Sequence, residues 1–380
     1  MITLKRFKVK GFKNFKDEIV FELANPGKYD FNNELIKNKI INKGIIYGKN
    51  GSGKSNLGEA LFDIDNNLMA LGKGLKFLSP FSGVYKNVFS NENPRFSYCF
   101  DLDGTEVEYS YTKINPQFVM EEELKINGEI VLSYSCEKPN NIFSKIPNTE
   151  NLNFKNMTRG ISPLLYIYRT VKFSETSPIT KLFRFVEGML WFRYLNKGNQ
   201  FSGFPGQSEF IEKAIIEKNK VKDFQNFLEN IADIHYELVA GETGQIDIVT
   251  GEKQKAIFAI YNGSPYLLSA LLSTGTEALE LFYYWQMSFN NIRFLFIDDF
   301  DAFYHYELSE KIITLLNKNS SFQSFVTTHC TSLMTNELSR PDCLFLMSEN
   351  KIKPLCDCTD KELSKGYSLE KIYHNKGFDY

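Results

Sequence analysis

Apolar and polar positions along this 380-residue chain follow several distinct patterns. Short, nearly unbroken apolar runs stand at Gly44-Ile-Ile-Tyr47, Ile292-Arg-Phe-Leu-Phe-Ile297 and Phe325-Val326. Each is followed by polar residues and reads as a buried strand. Residues 94–135 alternate instead, as in Arg95-Phe-Ser-Tyr-Cys-Phe100 and Thr105-Glu-Val-Glu-Tyr-Ser-Tyr-Thr112. Asp103-Gly104 between them is a hairpin turn signal, so the region reads as short antiparallel strands. Residues 245–270 return to strands, with Asn262-Gly263 as a second hairpin turn.

Helical spacing appears elsewhere. After the cap Ser177-Pro178, Leu182, Phe185, Val186 and Met189 fall on one face, and Phe224, Phe227, Leu228 and Ile231 repeat the spacing. Further helices are expected over Glu277–Met287, 306–317 and 368–374. The aromatic stripe Trp191, Phe192 and Tyr194 reads as core more readily than as a partner surface. Sustained heptads are absent, which excludes a long coiled coil. The pattern predicts an α/β chain in three parts. Residues 1–149 form a first part, 150–235 a helical insertion with a glycine-rich break at 198–206, and 236–380 the last part.

The most specific chemistry lies at Gly48-Lys-Asn50-Gly51-Ser52-Gly53-Lys54-Ser55-Asn56, between a strand and a helix. This is the G-x-x-x-x-G-K-S phosphate loop in its required context. Its glycines let backbone N–H groups turn around a polyphosphate, at the positive end of the following helix. Lys54 is placed for the outer phosphates and the Ser55 hydroxyl for Mg²⁺. ATP and Mg²⁺ are therefore the expected ligands.

Three weaker signals follow. The run at 292–297 ends in Asp298-Asp299, an acid pair suited to holding Mg²⁺ and handling an attacking water. Upstream, Leu272-Ser273-Thr274-Gly275 precedes a helix. Downstream, Phe325-Val326-Thr327-Thr328-His329 reads as a strand ending in a polar switch. Each alone is commonplace.

In this order the motifs resemble the ABC-type ATPases. The opening Asn14-Phe15-Lys16-Asp17 is similar to the start of the SMC, RecF and OLD-like branch. Asp298-Asp299-Phe300-Asp301-Ala302-Phe303-Tyr304-His305 resembles the AAA-15 and AAA-21 type proteins of bacterial anti-phage and abortive-infection systems. The likeness covers roughly residues 1–65 and 265–375. It implies an ABC-type head, a mixed sheet with an antiparallel sub-sheet, and a homodimer or higher oligomer closed across ATP. Lys54 and Ser55 would act in cis, Ser273 and Gly275 on the ATP of the other subunit, Asp298 at the metal, Asp299 on the water and His329 as γ-phosphate sensor. It further implies a regulatory ATPase governing a separately encoded effector nuclease or toxin, with a phage protein as a candidate trigger.

Two departures matter. The family's usual glutamate after the first acid is Asp299, one methylene shorter. Misplacement by about 1 Å can cost on the order of 10²-fold in rate, so slow hydrolysis is expected, with Asp301 as a substitute base. The glutamine of the family's Q-loop has no assignable counterpart, which leaves a contact on the Mg²⁺ side unassigned.

Composition narrows the classes. The formal charge is −2, without the global basic footprint of a dedicated DNA binder. A RecF-like repair clamp is thus the second reading, and DNA binding stays open. Cys99, Cys136, Cys330, Cys343, Cys356 and Cys358 form no C-x-x-C, and Cys356-x-Cys358 reads as structural rather than as a zinc site. This suits a reducing cytoplasm. The charged amphipathic start is no secretion signal, and no apolar run reaches membrane-spanning length.

Overall fold

The computed structural model describes residues 2–69, 84–138, 142–150, 152–154, 157–158, 160–195, 198–203, 211–246, 251, 253–349 and 351–380. A central sheet of seven strands organises them. Its order is Gly198–Gly203, Met189–Leu195, Phe294–Ile297, Gln323–Thr328, Lys43–Gly48, Leu344–Ser348, Lys351–Pro354. The five inner strands are parallel and the two edges antiparallel. Both faces are covered, which explains the unbroken apolar runs. Ile46, Phe294, Phe296, Phe325 and Phe345 face one core. Ile45, Tyr47, Leu295, Ile297, Val326 and Leu346 face the other, as a two-residue period demands.

The first core is closed by a seven-stranded antiparallel sheet. Its order is Phe143–Ser144, Glu129–Ser135, Phe118–Ile126, Glu106–Asn115, Arg95–Leu102, Ile2–Lys10, Ile19–Glu22. Helices Lys54–Leu61, Asp63–Leu68, Pro163–Thr170 and Pro178–Glu187 contribute to the same core. The second core is closed by helices Thr274–Gln286, Tyr306–Lys318 and Val221–Ala232, with a three-stranded sheet of Glu237–Ile246, Lys253–Tyr261 and Ser264–Leu267. The Asp103-Gly104 and Asn262-Gly263 turns have positive φ at both residues, as two-residue hairpin turns require.

The expected helical insertion over 150–235 needs correction. The helix stops at Gly188, whose N–H bonds back to Arg184 and Phe185 and whose carbonyl accepts from Arg293 N at 2.7 Å. That hydrogen bond draws the chain alongside the next strand. Met189–Leu195 then pairs in parallel with Phe294–Ile297, and Gly198–Gly203 pairs back onto it. Met189 therefore belongs to a strand, and Trp191 and Phe192 are buried in the central sheet. The Tyr194 side chain and residues 204–206 of the glycine-rich break lie outside the described part. The segment still supplies helices, including Val221–Ala232 on the expected Phe224 face.

Candidate active site

The phosphate loop leaves the centre of the parallel sheet and enters helix Lys54–Leu61. Gly48 ends the strand, Lys49 and Asn50 are exposed, and Gly51 turns at φ 80°. Gly53 caps the helix at φ 100°, and a Cβ there would lie 2.6 Å from Asn14 Nδ2 and 2.8 Å from the Phe15 ring. Glycine is thus required twice over, by conformation and by the N-terminal segment packed against the loop. Asn56 Nδ2 donates to Asn14 Oδ1 at 2.6 Å, fixing that segment to the helix.

Lys54 is buried within the loop. Its Nζ donates to the carbonyls of Gly48 at 2.8 Å and Lys49 at 3.3 Å, and lies 2.9 Å from His329 Nε2. The sequence-predicted lysine and sensor histidine are therefore brought together. Burial lowers the Lys54 pKa, opposed by the charges of Asp299, Asp298 and Asp301.

Asp298 ends the Phe294–Ile297 strand and is fully buried. Its Oδ1 accepts from Thr327 Oγ1 at 2.7 Å, and the nearby Ser55 hydroxyl favours the charged carboxylate. Burial and the neighbouring Asp299 raise its pKa. Asp299 sits at φ 45°, a left-handed conformation that aspartate adopts more readily than most residues. Its N–H donates to Thr327 Oγ1 at 2.8 Å, and its Oδ1 lies 3.8 Å from His329 Nε2. Asp301 accepts from Thr328 Oγ1 at 2.5 Å, and burial raises its pKa. The charges of three carboxyls thus act on one lysine.

Four buried polar atoms here have no hydrogen-bond partner among the described residues: Ser52 Oγ, Asn14 Nδ2, Asp298 Oδ2 and Asp299 Oδ1. Buried polar groups are normally satisfied, so this concentration fits a site that takes a polar ligand. Among the described residues no cluster of three or more His, Cys, Asp or Glu is arranged to hold a metal. Ser55 and Asp298 suit Mg²⁺ instead, an ion commonly held by one or two carboxylates plus substrate phosphates.

Ser273 and Gly275 lie apart from this cluster. Ser273 caps helix Thr274–Gln286, accepting from Thr276 N at 3.3 Å, and both Ser273 and Thr274 are exposed. A Cβ on Gly275 would meet the Phe303 carbonyl at 2.9 Å. The helix start therefore packs on the turn that follows the acid pair.

Sequence reasoning missed Thr327 and Thr328 as partners of the acids. Two buried threonines closing an apolar strand were the available signal. It also missed Arg193, which the Met189–Leu195 strand places 3.7 Å from Asp298. Finding it required knowing that this segment joins the central sheet.

A model of the family described as "AAA domain, putative AbiEii toxin, Type IV TA system" matches residues 45–335. No curated protein matches the chain. Solved structures with a similar chain course include an SMC head bound to the C-winged helix domain of ScpA. It is 14% identical, with 92% of this chain and 96% of that one covered and a TM-score of 0.46. The SMC head domain from Thermotoga maritima is 16% identical over 92% and 98%, with a TM-score of 0.41. An SMC head with an extended coiled coil, bound to the C-terminal domain of ScpA derived from Pyrococcus furiosus, is 14% identical over 93% and 96%, at 0.43.

Proposed function

For a chain that belongs to this AAA-domain family, with its toxin–antitoxin association, we propose a regulatory ATPase that governs a separately encoded effector nuclease or toxin of an anti-phage defence module. ATP binding would join two copies, and slow hydrolysis would release them. The observation that carries the reading is the convergence of Lys54, His329, Ser55, Asp298 and Asp299 at one end of the parallel sheet.

The residues divide the work. Loop N–H groups and the start of helix Lys54–Leu61 bind the phosphates. Lys54 gives up the Gly48 and Lys49 carbonyls and turns its ammonium to the outer phosphates. Ser55 and Asp298 would hold Mg²⁺, whose charge would offset that of the phosphates. Asp299 orients the water and accepts its proton, at a slow rate set by its short side chain. His329, already beside both Lys54 and Asp299, reports whether the γ-phosphate is present. Ser273 and the exposed start of its helix meet the phosphates of the second copy.

No helix among the described residues is long and apolar enough to cross a membrane. A cytoplasmic protein acting on a cytoplasmic effector is the proposal.

The test has two parts. Calorimetry of Lys54→Ala should show ATP affinity reduced at least 10²-fold (~2.7 kcal/mol), and unchanged affinity refutes the phosphate-loop site. Light scattering should show Mg·ATP-dependent dimers of the parent and monomers of Thr274→Arg, which keeps ATP binding. Gly275 is a poorer probe, because any side chain there strikes the Phe303 carbonyl. A dimer that binds no product of a neighbouring gene, and whose turnover rises strongly with DNA, replaces this reading with the repair clamp.

A further inference from the structure

Asp298 is an unusual buried carboxylate. It is 0% exposed, yet its Oδ2 has no hydrogen-bond partner among the described residues. The cation that faces it is Arg193, whose Nη1 lies 3.7 Å from Oδ2. That distance attracts without forming the shorter charge-assisted bond of a settled ion pair, typically about 2.7–2.9 Å. Arginine stays charged throughout the working pH range, so it cannot relieve the mismatch by losing a proton.

Sheet register puts the guanidinium there. Met189–Leu195 runs parallel to Phe294–Ile297, pairing Trp191 with Phe296 and Phe192 with Ile297. Asp298 N donates to Phe192 O at 3.0 Å, so the next residue, Arg193, stands level with Asp298. Trp191 and Phe296 point at Gly58 of the phosphate-loop helix, and two residues further on Arg193 and Asp298 share that face.

Two features would keep the guanidinium nearby once it leaves Asp298. It lies 5.7 Å from the ring centre of Trp191, and its charge also acts on the partly buried carboxyl of Glu59. Glu59 is paired with Lys13 and belongs to the phosphate-loop helix.

We propose that Arg193 is a counter-ion gate for the metal position: it neutralises Asp298 when no metal is bound and is displaced onto Glu59 and the Trp191 face when Mg²⁺ enters with the nucleotide. The proposal rests on the phosphate-loop reading of the site. It makes Arg193 a positioning residue that tunes metal affinity. Metal-free ATP would bind without ordering the acid pair, and the closed ATP state would form only above a threshold of free Mg²⁺.

The experiment titrates Mg²⁺ into metal-stripped protein saturated with a non-hydrolysable ATP analogue, following tryptophan emission and heat. In the parent, emission changes with Mg²⁺ because Arg193 moves onto the Trp191 face. In Arg193→Gln, half-saturation moves to at least about threefold lower Mg²⁺, since the guanidinium no longer competes for Asp298, and most of the emission change is lost. Arg193→Lys, which keeps the charge, stays closer to the parent than to Arg193→Gln. Half-saturation in Arg193→Gln that equals or exceeds the parent's overturns the gate. Should that variant not fold, the absence of any Mg²⁺-dependent emission change in the parent overturns it equally. Lys54→Ala serves as the control. Parental binding of the analogue by that variant is a failure of the phosphate-loop site itself, whatever Arg193 does.

Discussion

Two buried aspartates near opposite ends of the phosphate-loop helix meet their surroundings in opposite ways. Asp63 starts helix Asp63–Leu68 in the first core and is fully engaged. It accepts from Lys113 Nζ at 2.7 Å and from the hydroxyls of Tyr85 and Tyr111, both at 3.0 Å. Asp298 is buried as deeply, but one oxygen has no hydrogen-bond partner among the described residues and faces Arg193 at 3.7 Å. A satisfied buried network rigidifies a fold, whereas an unsatisfied carboxylate marks a place where a ligand completes the structure. Burial alone thus does not separate a structural acid from a functional one; the partners do.

That contrast breaks most visibly at Asp63. Asp63→Ala leaves Lys113 buried without its carboxylate and should cost about 3–5 kcal/mol in denaturant unfolding, with or without ATP. Asp298→Asn should behave oppositely. The free protein should be no less stable than the parent, since a poorly paired buried charge is removed, while Mg²⁺-supported ATP affinity falls on the order of 10²-fold by calorimetry. A large loss of stability in the free Asp298→Asn protein would erase the distinction.

The second core offers a sharper version. Glu280 of the Thr274–Gln286 helix is buried with Oε1 lacking a partner among the described residues. Burial, then Glu212 and Glu277, push its pKa to about 8. A raised carboxyl pKa favours folding while the group is protonated. Its contribution is therefore full below the ordinary carboxylate range and is lost as pH rises toward about 8. Glu280→Gln should melt much like the parent near pH 4.5 and become more stable by about 2 kcal/mol at pH 9. A constant difference across that range would show that Glu280 finds a partner in solution.

The smallest effect belongs to Asp299. Asp299→Glu should raise steady-state turnover by less than about tenfold, because a longer side chain gains reach while glutamate fits φ 45° less well. Asp299→Asn should lower turnover. A rate left unchanged by Asp299→Glu would move the water-activating role toward Asp301.

Legibility followed the range of the interactions. Helix Tyr306–Lys318, the two hairpin turns and the strand leading into the phosphate loop stood out because each is specified by neighbours in sequence. The Met189–Leu195 strand did not. Its helix-like spacing continues from Leu182 through Val186, and the switch at Gly188 is reinforced by a hydrogen bond from Arg293, far along the chain. The acid pair was visible as a strand end, but Thr327 and Arg193 reach it from other strands, and Thr328 reaches Asp301.

The sequence by itself determined the phosphate loop, since consecutive residues supply its glycines, lysine and serine and the chemistry needs only their spacing. It determined the family as well, through motifs that keep their order along the chain. The tertiary structure decided which carboxylate is satisfied and which keeps an oxygen without a hydrogen-bond partner among the described residues. That choice depends on strand register, because Arg193 stands level with Asp298 only through the parallel pairing of Met189–Leu195 with Phe294–Ile297. A shift of one residue would turn Arg193 to the opposite face of the sheet and leave Asp298 without it.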